Sequence, residues 1–163
     1  MQTKTPPTFT VPLGRRAHKL AEQFFVQHTK QKARQVYLNT LAVHAVEFYL
    51  KCMSIETDWE TSDSYEPVMQ TLLDTADLEV KDCGKLECRP LLAGAEVFQV
   101  PMEVWSDRIG YVAVEISDSM NTATLLGFVE SVSEQEVPIS QLRSLKELRM
   151  HLYQLRESSQ ENN

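Results

Sequence analysis

The order of apolar and polar positions divides the chain into a helical first third, a strand-rich middle and a helical close. Phe9, Val11 and Leu13 alternate with polar or turn residues, the period of a short strand, and Pro12 assigns it to an edge or a strand end. After Gly14 the period lengthens. Ala17, Leu20, Ala21, Phe24 and Phe25 follow the i, i+3, i+4, i+7, i+8 stripe of an amphipathic helix over roughly 14–29, with Arg15, Arg16, Lys19, Glu22 and Gln23 largely off it. A second helix is predicted over about 32–53. Leu38, Leu41, Ala42, Ala45, Val46, Tyr49 and Met53 form its stripe, and Val36, Val43 and Leu50 widen it, so this helix is buried along much of its length. Its polar positions reduce to one narrow line, Thr40, His44, Glu47 and Lys51. Glu47 precedes Lys51 in the favourable i,i+4 order, which suits a solvated edge. His44 and Glu47 are also the residue types of a general acid/base pair.

Residues 54–66 read as an acidic loop carrying Trp59 and Tyr65. The aromatics either anchor a partner or cover a core, and the cover is the more frequent use. Pro67 opens a short helix whose buried side is expected to be Val68, Leu72 and Leu73. Strand-like runs follow at 78–81, 85–92, 96–100, 109–116 and 122–129, separated by turn signals. Tyr111, Ala113 and Glu115 alternate with Val112, Val114 and Ile116, which predicts a sheet with one covered face. The short connections predict an antiparallel meander. Ser144 and Glu147 form a capping box, and Leu145, Leu148, Leu152 and Leu155 give the closing helix a face that docks onto the sheet. The expected fold is α+β: an N-terminal helical pair packed on a mostly antiparallel sheet, closed by a C-terminal helix. It forms one domain over 1–157, whose first seven residues read as a loose tail, before a disordered tail over 158–163.

Composition supports this and narrows the function classes. At 163 residues the chain fits a single domain. A chain of that length buries about 70% of its unfolded surface and needs no metal or disulfide staple. No apolar run approaches the ~18 residues of a membrane span. Met1–Arg16 lacks the apolar core of a secretory signal, so a cytosolic protein is expected. The net charge of −7 is unevenly spread: residues 1–53 carry eight basic groups against Glu22 and Glu47, whereas 54–118 carry fifteen acids against four bases. Separated charge of this kind suits partner selection, while the acidic total leaves nucleic-acid binding unsupported. Cys52, Cys83 and Cys88 lack the companion ligands of a zinc site and read as reduced packing thiols.

No phosphate-binding loop, dinucleotide fingerprint, nucleophile elbow or HExxH pattern occurs. The best catalytic alternative is a metal-dependent hydrolase using Asp77 and Glu87, as two carboxylates on neighbouring strands. Arg89 stands where such nucleases carry a lysine, and it suits a structural pair with Glu87 instead. No cofactor is expected.

Several strings carry a resemblance: FTVPLGRRAHKLAEQF at 9–24, QVYLNTLAVHAVEFYL at 35–50, GKLECRPLL at 84–92, DRIGYVAVEI at 107–116 and LLGFV at 125–129. The chain resembles a cyanobacterial family known as a domain of unknown function, number eighteen twenty-two. The resemblance implies a cytosolic protein and transfers no catalytic residue. It also implies a signalling- or transcription-linked accessory role, since genes of the family neighbour those for sigma factors, sensors and CHAT-type proteases. Together these features point to a non-enzymatic interaction or regulatory module with a protein partner, a sigma factor or signalling protein among the candidates. The expected contacts are Arg15, Arg16 and Lys19 on the first helix, with Trp59 and Tyr65 in the acidic loop.

Overall fold

The computed structural model describes residues 7–161. Most of the expected N-terminal tail and residues 162–163 lie outside the described residues. β1 (Phe9–Pro12) leads into α1 (Arg15–Phe25) and the long α2 (Lys30–Cys52). Eleven α2 side chains are buried, among them Leu41, Val46 and Leu50, because this helix lies across the central strands of the sheet. β2 (Thr57–Asp58), a 3₁₀ turn at Asp63–Tyr65 and α3 (Pro67–Leu72) then lead to β3 (Asp77–Val80) and β4 (Gly84–Leu92). β5 (Val97–Gln99), β6 (Gly110–Ile116), β7 (Thr122–Val129) and β8 (Glu136–Pro138) precede α4 (Leu145–Glu161). α4 reaches into the segment expected as a tail, so residues 158–161 are helical.

The main sheet has six strands in the order β1-β7-β6-β4-β3-β2. The architecture is therefore the expected α+β, with α1 and α2 on a mixed, mostly antiparallel sheet and α4 closing it. One pairing departs from a meander: β4 and β6 run parallel, with Cys88 opposite Val112. A parallel crossover needs only a dozen or more residues, and 93–109 supplies them without an α-helix, using a 3₁₀ turn at Met102–Val104. Those residues form β5, which pairs with β8 as a small second sheet.

That crossover also covers the second face. Leu91, Phe98, Val100, Val104, Tyr111, Ala113 and Val137 form a separate buried cluster there, so both faces of the central strands are covered rather than one. The Tyr111 hydroxyl donates to the carbonyls of Val104 (2.9 Å) and Trp105 (2.7 Å), and burial pushes its phenol up to about 12.

α3 corrects a second expectation. Val68 and Leu72 are 63% and 66% exposed, and the buried side chain is Gln70. Gln70 Nε2 donates to the Ser64 carbonyl at 2.7 Å, and its Oε1 lies 2.8 Å from His28 Nε2. Polar contacts thus orient a helix too short for an apolar stripe to decide. α4 follows expectation: Ser144 and Glu147 cap it reciprocally, and Leu145, Leu148 and Leu152 enter the main core. Among the described residues, no helix is long and apolar enough to cross a membrane.

Candidate functional site

The amphipathic stripe of α1 buries Ala17, Ala21 and Phe24. This leaves Arg16, Lys19, Leu20 and Gln23 along a groove of about 880 Å³. α2 contributes His44, Glu47, Phe48 and Lys51, the lower part of its polar line together with an exposed phenylalanine. Trp59, Glu60 and Tyr65 complete the lining from the acidic loop.

The loop is held in place from below. Trp59 Nε1 donates to Ser64 Oγ at 3.0 Å, and Ser64 Oγ donates to the Asp77 carbonyl at 2.5 Å. The Asp77 carboxylate accepts from the backbone N–H of Ser64 (2.8 Å) and Asp63 (3.1 Å) and from Thr75 Oγ1 (2.9 Å). Tyr65 meets Phe24 and Trp59 edge to face at centroid separations of 5.3 and 5.6 Å, tying the loop to α1.

Of the five expected contact residues, the structure brings Arg16, Lys19, Trp59 and Tyr65 to one groove. Arg15 is exposed beside it without lining it. Trp59 is only 6% exposed, so it covers the core and offers the groove little more than an edge. His44, Glu47, Phe48 and Lys51 were missed as site residues. His44, Glu47 and Lys51 were visible as a polar line on α2, with His44 and Glu47 the residue types of an acid/base pair, but the line does not show that α1 and the loop meet it.

Among the described residues, Arg15, Arg16, Lys19 and Lys51 have no carboxylate within 4.0 Å. α1 also begins without a side-chain cap or an acid in its first turn, so Arg15 and Arg16 add positive charge to the positive end of the helix dipole. Burial pushes the His44 imidazole below its ordinary value, and Arg16 and His18 add to the effect, which favours the neutral ring. Burial pushes Glu47 the other way, with Glu60 reinforcing and Lys51 opposing. Perturbed groups of this kind concentrate at functional sites.

The carboxylates considered for hydrolysis occupy a different place. Asp77 and Glu87 face each other in register across β3 and β4, and both are fully buried. Glu87 accepts from Arg108 Nε (2.9 Å), Arg89 Nη1 (3.1 Å) and the Ala76 N–H (2.8 Å). Arg89 is itself fixed by Asp74 Oδ2 at 3.0 Å and the Gln99 carbonyl at 2.8 Å. Burial pushes the Glu87 carboxyl up against the pull of both guanidiniums. Among the described residues, no group of three or more His, Cys, Asp or Glu side chains is placed to hold a metal ion. Cys88 is buried and Cys83 half-buried, as packing thiols are, but Cys52 is exposed and lines the groove.

The family model described as "Protein of unknown function (DUF1822)" matches residues 11–162. The chain belongs to the DUF1822 family. Every residue lining the groove of this DUF1822 protein falls within the matched span. No curated protein and no solved structure matches the chain.

Proposed function

We propose that this DUF1822 protein is a non-enzymatic interaction module, linked to signalling or transcription, and that the α1–α2 groove is where it takes a protein partner. One observation carries this reading: Arg16 and Lys19, without carboxylate partners among the described residues, line the same groove as exposed Phe48 and the Trp59–Tyr65 edge. Unpaired cations beside apolar surface are arranged for a complementary partner, which gains both steering and contact area.

The hydrolase alternative has weaker support. Asp77 and Glu87 would each have to release three hydrogen bonds before either could hold a metal.

The test is affinity capture from native extract at low and moderate salt, comparing the natural protein with Arg16→Glu/Lys19→Glu. A defined partner, weakened by salt and lost with the double variant, is expected. Capture indifferent to both would reject this surface.

A further inference from the structure

We propose that the groove takes a carboxylate-rich segment of the partner, seating its acids on Arg16, Lys19 and Lys51 and an apolar side chain against Leu20 and Phe48, with His44 taking up a proton on binding. This rests on the interaction reading above and names what that site recognises.

The chemistry of the lining selects the ligand class. On α1 the groove side carries Arg16, Lys19, Leu20 and Gln23, while the one acid of that helix, Glu22, lies near Tyr37. Glu47 and Glu60 share that lining with the cationic points. Spaced carboxylates on a peptide can meet such points singly, whereas a continuous phosphate backbone would be drawn past both acids. Phe48, 40% exposed, gives an apolar side chain a place beside them.

Proton uptake follows from what surrounds His44. Arg16 and His18 act on it from α1, Glu47 follows it by one turn on its own helix, and Lys51 and Glu60, both near Glu47, line the same groove. His18 is held by Tyr37 Oη and by the Met120 carbonyl, the latter at 2.8 Å, so it is committed elsewhere. In the free protein burial opposes a charge on His44 most, and Arg16 and His18 add a coulombic opposition from α1. A ligand carboxylate on Arg16 offsets the guanidinium's part of that opposition and places a negative charge by the ring, which favours the imidazolium, so a proton passes from solvent to the ring. The free imidazole titrates below its ordinary value and the bound one higher. Affinity therefore rises as pH falls through the interval between them.

The probe is a fluorescein-labelled peptide of repeated Glu-Glu-Leu, titrated against the full chain by anisotropy at about pH 8 and about pH 6, across the histidine range. The expected results are binding at both, at least about threefold tighter at the lower pH, and loss of about tenfold or more with Arg16→Glu/Lys19→Glu. Lys30→Glu/Arg34→Glu, at the far end of α2, should leave affinity unchanged. His44→Gln and His44→Asn should bind with a flat pH profile, while Glu47→Gln keeps the slope. Failure of the peptide to bind, or equal weakening by the distant pair, overturns the proposed ligand. Binding with a slope that survives both His44 variants overturns the proton uptake. In either case the captured native partner separately decides whether the groove is an interaction site at all.

Discussion

At the first turn of α1, Arg15 and Arg16 occupy positions where an acidic side chain would interact favourably with the exposed backbone N–H groups. A local rule broken at an exposed site points to a use outside the helix. Arg15→Glu/Arg16→Glu is therefore expected to stabilise the fold by about 0.3–1 kcal/mol per residue, read by urea denaturation, while weakening partner capture. Lower stability together with intact capture would contradict that role. Glu87 presents the opposite case, a charge wholly enclosed by its partners. Glu87→Ala leaves Arg89 and Arg108 facing a void and should cost about 3–5 kcal/mol. A loss below about 1 kcal/mol, within the range of surface pairs, would show that the network is not structural.

Among the elements, strong periodicity made the helices legible. α1, α2 and α4 lie where the apolar stripes of Ala17–Phe24, Leu38–Met53 and Leu145–Leu152 required them, with ends shifted by a few residues. Ser144→Ala should confirm the capping box by a loss of about 0.5–2 kcal/mol. The β4–β6 parallel pair was not legible, because strand direction depends on where a connection travels, and residues 93–109 carry no helical pattern to announce a crossover. The face of α3 was hidden for a related reason: its orientation depends on Gln70 meeting Ser64 and His28, both distant from the helix pattern. Gly127 shows a constraint that only the fold reveals. It has φ +151° beside the slip in β6–β7 register, and a Cβ there would collide with the Arg143 carbonyl, which accepts from the Phe128 N–H at 3.0 Å. Gly127→Ala should cost about 1–3 kcal/mol in thermal or urea unfolding, whereas a neutral substitution would mean that the 142–144 segment gives way freely.

At the scale of the whole molecule, the charge separation along the chain becomes a specific place. The basic first third and the aromatic loop were each visible in sequence, yet their meeting depends on Asp77, whose buried carboxylate draws in the backbone of Asp63 and Ser64. The same residue stood in the sequence as a metal ligand of the alternative hydrolase reading, because a carboxylate that anchors a loop and one that binds a metal have the same sequence signature. His44 and Glu47 remained on a solvated edge for an equivalent reason: nothing in the helical period tells which neighbour leans over it.

Cys52, exposed within the groove, offers the most direct measurement. In a Cys83→Ser background, with Cys88 buried and its thiol pushed well up by burial, a photoreactive maleimide should label Cys52 alone. Illumination of the salt-sensitive captured complex should then join the partner covalently at Cys52, through an acid-rich segment identified by mass spectrometry. A partner that stays bound but crosslinks only from positions outside the groove would contradict the account.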